Sequence, residues 1–120
     1  MTYITALLSL IFVLSGGAKL AGLEFEIQAF ERWGYALWFM YAIGVAELAG
    51  GLALWWSRIS TWASAGLSLV MVGAVGTHIL HAEWGMLGIA SAIFGLSLWR
   101  TWQGRAAFSA VHAPALVARA

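Results

Sequence analysis

Four long runs of apolar residues constrain this chain more than any other feature of its sequence. Each run is about the length of one membrane-spanning helix, and together they cover residues 2–21, 36–56, 61–80 and 84–102. Hydrophobic residues make up 62% of the chain and charged residues 9%, whereas a soluble domain is about one quarter charged. The sequence therefore predicts an all-α membrane protein, with a bundle of four transmembrane helices in a single domain, residues 1–103.

The segment between the first two runs, residues 23–33, is too short and too charged to cross a membrane. Its apolar side chains recur along one helical stripe: Leu23, Ile27, Phe30 and Trp33. Polar side chains occupy the opposite face, a pattern typical of a helix that lies in the membrane interface. We therefore expect a short interfacial amphipathic helix that ends at Gly34. The alternative is a lid over the mouth of the bundle.

Charges are divided unevenly between the two ends of the predicted bundle. The end that holds the N-terminus and the tail, residues 104–120, carries arginines and no acidic residue: Arg58, Arg100, Arg105 and Arg119. The opposite end carries the glutamates Glu24, Glu26, Glu31 and Glu83. Because positive charge concentrates on the cytoplasmic side of membrane proteins, this pattern predicts an inner-membrane protein with both termini and the tail in the cytoplasm.

A single carboxylate, Glu47, lies at the centre of the second apolar run. An ionised carboxylate near the middle of a bilayer costs roughly 2.5 kcal/mol or more unless it has a partner. Gly44 and Gly51 lie on the same helix face as Glu47, so this face should pack against protein and not lipid. Glycines predicted to let helices approach closely occur in all four runs: Gly16, Gly44, Gly51, Gly73 and Gly95.

Two other ionisable residues lie toward the same predicted outer surface of the membrane, with Glu47 deeper in the bundle. Lys19 ends the first run, and His78 lies near the end of the third. We expect Lys19, Glu47 and His78 to form one polar cluster, with His81 and Glu83 at its rim. Such a cluster could be a structural ion-pair network, a binding site for a quinone or similar amphipathic molecule, or a proton path.

Metal and thiol chemistry have little support in the sequence. His78 and His81 with Glu83 are suitable ligand types, but their spacing is a weak signal, so we predict no metal site. Haem bound by two histidines is disfavoured, since His78 and His81 share one helix. Iron–sulfur ligation is excluded for this chain alone because it has no cysteine. No catalytic motif and no nucleic-acid-binding stripe is visible, which leaves open whether the protein is an enzyme.

Three short motifs occur in order along the chain: SGGAKL, GVAELAGG and VGTH. Together they resemble the DoxX-like family of small four-helix membrane proteins, over residues 14–99. The resemblance implies a four-helix bundle whose polar positions are Lys19, Glu47 and His78. Some relatives are subunits of a thiosulfate:quinone oxidoreductase, and others associate with oxidative-stress enzymes.

The resemblance implies a small subunit or accessory of a quinone-linked membrane redox system. A quinone is then the expected ligand. The expected partners are the lipid bilayer, other membrane or redox proteins, and a second copy of the chain. The alternative is a structural or assembly subunit of a larger membrane complex with no chemistry of its own. A stand-alone transporter ranks last.

Overall fold

The computed structural model describes residues 3–112 and, for residues 110–112, the backbone alone. Every regular element in this part of the chain is an α-helix. The helices are α1 Tyr3–Leu20, α2 Glu24–Trp33, α3 Leu37–Ala53, α4 Ser60–Leu80, α5 Trp84–Gln103 and α6 Ala106–His112. The all-helical architecture agrees with the sequence prediction.

Fewer helices than predicted are long and apolar enough to cross a membrane. Among the described residues, α1 and α4 each meet that requirement. The pair α2 and α3 meets it only if taken together, with a bend of 119° between the two helices. The run predicted over residues 36–56 is shortened because α3 ends at Ala53 and residues 54–59 turn. The helix α5 is long enough, but it is rich in Gly, Ser and Trp and does not qualify.

The short helix α2 begins one residue later than predicted and ends where predicted. Its first turn carries Glu24 and Glu26, which interact favourably with the positive end of the helix dipole. Gly34 follows the helix with φ at 81°, in the left-handed region that glycine enters without steric cost. In this conformation the Gly34 N–H donates to the carbonyl of Glu31, and the chain reverses into α3.

The helices pack mainly as two pairs, α1 with α3 and α4 with α5, and α3 joins the pairs by contacting α4. The buried apolar core lies between them and consists of Leu8, Phe12, Leu54, Leu67, Met71 and Ala90. Large apolar side chains also cover the outside of the bundle, among them Leu69, Leu80, Trp84 and Trp102. An apolar exterior of this extent suits contact with lipid.

The region predicted as a surface tail, residues 104–120, contains a further helix, α6. The Phe108 ring lies edge-on to the Trp62 ring of α4, with 4.6 Å between ring centroids. Packing against another helix explains why this alanine-rich segment adopts regular structure, which its composition alone did not indicate. The last part of the predicted tail, including Arg119, lies outside the described residues.

Candidate functional site

A cavity of about 620 Å³ lies between the helices, and α2 forms one of its walls. Its lining is largely apolar, with several aromatic rings from α2 and α3. The ionisable side chains that line it are Lys19, Glu26, Arg32, Glu47, His78 and Glu83. These six form two separate clusters, one around Lys19 and one around Glu83.

The Lys19 cluster joins α1, α2 and α3. The Lys19 ammonium lies 2.8 Å from Glu47 Oε1 and 3.4 Å from Glu26 Oε2. It also donates a hydrogen bond of 2.9 Å to the Ser15 hydroxyl. Ser15 in turn donates to the Glu47 carboxylate, with its Oγ 3.1 and 3.2 Å from the two carboxylate oxygens. The three N–H groups of the ammonium therefore have three oxygen partners.

Both members of the central ion pair are shielded from solvent. Lys19 is 8% exposed and Glu47 is 5% exposed. Removing two charges from water is costly, and the cost is recovered only when their geometry is good and their remaining hydrogen-bonding capacity is used. The contacts of Ser15 and Glu26 meet this second condition. The arrangement thus holds a carboxylate stably within an apolar helix.

Two glycines bring α1 and α3 close enough for this contact. A Cβ placed on Gly16 would lie 2.6 Å from the Leu48 nitrogen and 2.7 Å from the Gly44 carbonyl oxygen. A Cβ on Gly44 would lie 2.9 Å from Cβ of Lys19. The two backbones can approach this closely only because neither residue has a side chain. The Lys19 side chain therefore starts beside α3 and reaches Glu47 along it.

The other three glycines predicted to pack helices behave differently from one another. Gly51 lies against α1, where an added Cβ would be 3.1 Å from the Val13 nitrogen. Gly73 and Gly95 are open, since an added Cβ would meet no described atom within 4 Å. The close contact between α1 and α3 thus depends on glycine, whereas α4 and α5 meet through other residues, among them Ser64 and Thr101, whose hydroxyls lie 2.9 Å apart.

The Glu83 cluster joins α2 to the connection between α4 and α5. Glu83 Oε1 lies 3.0 Å from His78 Nδ1 and accepts a hydrogen bond of 2.8 Å from Trp33 Nε1. Glu83 Oε2 accepts a hydrogen bond of 2.9 Å from Arg32. The bond from His78, with those from Trp33 and Arg32, lowers the pKa of the Glu83 carboxyl to about 2. Glu83 is therefore a carboxylate at neutral pH, and the proton on Nδ1 of His78 points toward it.

A strained turn places Glu83 beside His78. Ala82 has φ at 54°, in the left-handed region that residues with a Cβ rarely adopt. This conformation lets the Glu83 N–H donate to the His78 carbonyl at 2.9 Å, which folds the chain back over the end of α4. Non-glycine residues in this region cost of order 1–3 kcal/mol and are found disproportionately at functional sites.

The structure places four of the five predicted site residues in two clusters and leaves the fifth outside both. Lys19 and Glu47 are in contact, His78 and Glu83 are in contact, and His78 does not bond to Glu47. His81 is exposed and its Nδ1 lies 2.8 Å from the Thr77 carbonyl, so it takes no part in either cluster. Both clusters nevertheless line the same cavity.

Four members of these clusters were not predicted from the sequence. Ser15 precedes Lys19 by four residues, a spacing that places both on one face of α1 and could have revealed it. Glu26, Arg32 and Trp33 all belong to α2. No local pattern indicates their roles, because these depend on how α2 folds back over α1 and α4.

The cavity has the chemistry of a small-molecule site. Ligand cavities are commonly about 300–1,000 Å³, mostly apolar, with a few polar groups that orient the ligand. Within residues 3–112, no group of three or more His, Asp or Glu side chains is arranged to hold a metal ion. The two polar clusters place hydrogen-bonding and charged groups along the wall of the cavity.

These features are typical of a small helical membrane protein with a polar site between its helices. Comparison with known proteins identifies the group. A family model described as the DoxX-like family matches residues 3–100, and the chain belongs to that family. It is also similar to the "Uncharacterized protein YdgD" of Bacillus subtilis (strain 168), at 32% identity over 78 residues. That match covers 61% of this chain and 68% of the relative. No solved structure matches the chain.

Proposed function

We propose that the protein binds the head group of a quinone, or of a similar amphipathic carbonyl compound, as a small subunit or accessory of a membrane redox system. The observation that carries this proposal is the apolar cavity of about 620 Å³, which has a buried histidine in its wall. Its volume and lining suit a flat aromatic ring with few polar atoms. The three sequence motifs that resemble the DoxX-like family imply the same ligand class.

His78 is the residue best suited to recognise the head group. Its Nδ1–H is directed to the Glu83 carboxylate, and its Nε2 has no hydrogen-bond partner among the described residues. In the neutral ring, Nε2 accepts a hydrogen bond from a quinol hydroxyl; in the protonated ring, it donates one to a quinone carbonyl. Glu83 and Trp33 hold the ring in place, with Trp33 edge-on at 5.6 Å between ring centroids.

Lys19 is less suited to this role because its donors are already used. Its ammonium contacts Glu47, Ser15 and Glu26, and a ligand carbonyl would have to displace one of them. We assign Lys19 and Glu47 a supporting role: they hold α1, α2 and α3 in the arrangement that leaves the cavity open. The aromatic side chains that line the cavity supply stacking surfaces: Phe25, Phe30, Trp33, Tyr35 and Phe39.

Quinone binding should depend on His78 and not on His81. The full-length protein in detergent would be titrated with a short-chain quinone, and binding followed by quenching of tryptophan fluorescence. His78→Leu should weaken binding about tenfold, the effect of losing one hydrogen bond to the ligand. His81→Leu is the matched control, since His81 lies at the same helix end but does not line the cavity. It should change affinity by less than about twofold.

Saturable binding that both variants retain would contradict the role of His78. Absence of saturable binding by the wild-type protein would contradict the proposal itself and favour the alternative, a structural or assembly subunit. One observation favours that alternative: both charge clusters tie helices together, α1 to α2 and α3 through Lys19, and α2 to α4 through Glu83. Purification from the native membrane would then identify a protein partner.

The proposal includes a placement in the inner membrane, with four spans and both termini in the cytoplasm. The two described helices that qualify as spans, and the bent pair α2 and α3, support up to three crossings. A fourth crossing by α5 is proposed because its 20 residues match a bilayer core about 30 Å thick. Reporter fusions at Arg58 and at Gln103 should both report the cytoplasm. A periplasmic signal from either position would overturn this topology.

A further inference from the structure

A second cavity, of about 550 Å³, lies at the end of the bundle away from the Lys19 and Glu83 clusters. The start of α1, the connection between α3 and α4, and the end of α5 meet there. Its polar lining comes from Thr5, Ser57, Ser60, Arg100 and Gln103. Arg100 is the only charged side chain in the lining, and it is half-buried.

Among the described residues, the guanidinium of Arg100 contacts neutral groups alone. Its Nε donates to the Thr5 hydroxyl at 2.9 Å, and its Nη2 donates to the Ser60 hydroxyl at 2.6 Å. A longer contact of 3.5 Å joins Nη1 to the Thr61 hydroxyl. These bonds use three of the five N–H groups that a guanidinium carries. The other two have no acceptor among the described residues.

No acidic side chain of the protein neutralises Arg100. The acidic residues of the whole sequence are Glu24, Glu26, Glu31, Glu47 and Glu83. All five lie within the described residues, in α2, in the middle of α3 or in the turn after α4, and none forms an ion pair with Arg100. Charges withdrawn from water are normally paired, and Arg100 meets no carboxylate among residues 3–112, so its guanidinium is suited to an anion from outside the chain.

The surroundings of Arg100 favour an anion with several oxygen atoms. Arg58 follows the lining residue Ser57 and is exposed, which adds a second cation next to the lining. The Arg105 guanidinium is instead occupied by Trp102: it lies 4.1 Å from the centroid of that ring, and its Nη1 donates to the Trp102 carbonyl. A planar guanidinium matches the oxygen atoms of a phosphate in a two-pronged hydrogen bond. Gly104 lets the end of α5 pack directly against Arg100 and Thr61, since a Cβ there would overlap the Thr61 side chain and lie 2.8 Å from Arg100 Nη1.

We propose that this cavity binds the phosphate group of an anionic phospholipid, with Arg100 as the main recognition residue. Basic pockets between helices at the cytoplasmic side of membrane proteins commonly hold such head groups. The hydroxyl of Ser57 and the amide of Gln103 can donate further hydrogen bonds to the phosphate and its glycerol. This site is separate from the quinone cavity and does not depend on quinone binding; it rests only on the cytoplasmic placement proposed for this end of the bundle.

The experiment measures how well the full-length protein, in a neutral detergent, retains an anionic lipid and a zwitterionic one. Native mass spectrometry would measure the fraction of protein that retains added phosphatidylglycerol or phosphatidylcholine. The wild type should retain phosphatidylglycerol about fivefold better, the preference expected from one arginine near the membrane surface. R100Q should lose this preference and R100K should keep only part of it. R105Q, which removes an exposed cation at the same end, should keep it.

Because Arg100 also links α1 to α4, R100Q can weaken the fold as well as the site. The comparison of the two lipids on the wild-type protein needs no variant and decides whether the protein prefers the anionic lipid. R100K, which keeps the positive charge, decides whether that preference comes from Arg100: full preference in both R100K and R100Q would overturn the assignment. Inorganic phosphate is added in a parallel sample without lipid. A rise in melting temperature with phosphate, lost in R100K, would support the same site and name the free anion as its ligand. Equal retention of both lipids with no effect of phosphate would overturn the proposal.

Discussion

Replacing Lys19 with methionine should destabilise the protein by about 3 kcal/mol, which is typical of removing one partner from a buried ion pair. Methionine fills a similar volume but leaves the Glu47 carboxylate, 5% exposed, with the Ser15 hydroxyl as its remaining partner. Unfolding of the full-length protein in detergent, followed by circular dichroism, would measure the loss. Arg58→Met is the matched control, since Arg58 is exposed, and it should change stability by less than about 0.5 kcal/mol.

The two residues of this ion pair should differ in how much stability is lost when each is replaced. Glu47→Gln should cost less than Lys19→Met, because Lys19 keeps Glu26 at 3.4 Å and Ser15 at 2.9 Å as partners. The double variant with methionine at both positions should recover most of the loss, since apolar residues often replace a buried ion pair without penalty. If Lys19→Met has no effect, Glu47 is neutral in the folded protein, and the pair does not stabilise the bundle.

Replacing Gly16 with alanine should have an effect of similar size, about 3 kcal/mol or more. The added Cβ would lie 2.6 Å from the Leu48 nitrogen and 2.7 Å from the Gly44 oxygen. Both are backbone atoms, which cannot move aside as the end of a side chain can, so α1 and α3 would have to separate. Overpacking usually costs about 1–3 kcal/mol, and a backbone clash belongs at the upper end. The unfolding midpoint in detergent would measure it.

Gly17 provides a matched control on the next residue of the same helix. A Cβ there would meet no described atom within 4 Å. Gly17→Ala should leave stability unchanged or raise it by up to about 1 kcal/mol, because alanine favours a helix more than glycine does. Equal losses from both substitutions would show that the close approach of α1 and α3 does not determine the stability of the bundle.

These two predictions concern the same feature of the molecule. The close contact at Gly16 and Gly44 sets the distance between α1 and α3, and this distance decides whether Lys19 can reach Glu47. Alanine at position 16 should therefore also weaken the ion pair. A combined variant with Lys19→Met should lose less than the sum of the two single losses, since the same contact is disrupted in both.

Local patterns in the sequence indicated several features correctly. The apolar runs indicated helices, and Gly34 indicated the end of α2. The isolated charge at Glu47 indicated a buried, partnered carboxylate, and the structure places that carboxylate against Lys19. These inferences rest on helix periodicity and on the cost of a charge in an apolar environment, both of which act within one segment of chain.

The histidines show where local patterns stop being informative. The spacing of His78 and His81 suggested that both lie near one site, yet His81 bonds to the backbone and only His78 joins Glu83. The contact between His78 and Glu83 requires the left-handed conformation of Ala82. Alanine gives no signal for that conformation, in which the Glu83 N–H donates to the His78 carbonyl.

The sequence by itself determined the class of the protein: its helices, the apolar surface around them and the few buried charges. Tertiary structure alone decided which charges meet, because Ser15, Lys19, Glu26 and Glu47 come together only where three helices cross. It also decided that one cavity lies between two polar clusters and that Arg100 lacks an acidic partner. The physical reason is the distance along the chain over which each interaction acts. Helix formation depends on neighbours within a few residues, whereas the pairing of charged side chains depends on how closely the backbones of distant helices can approach.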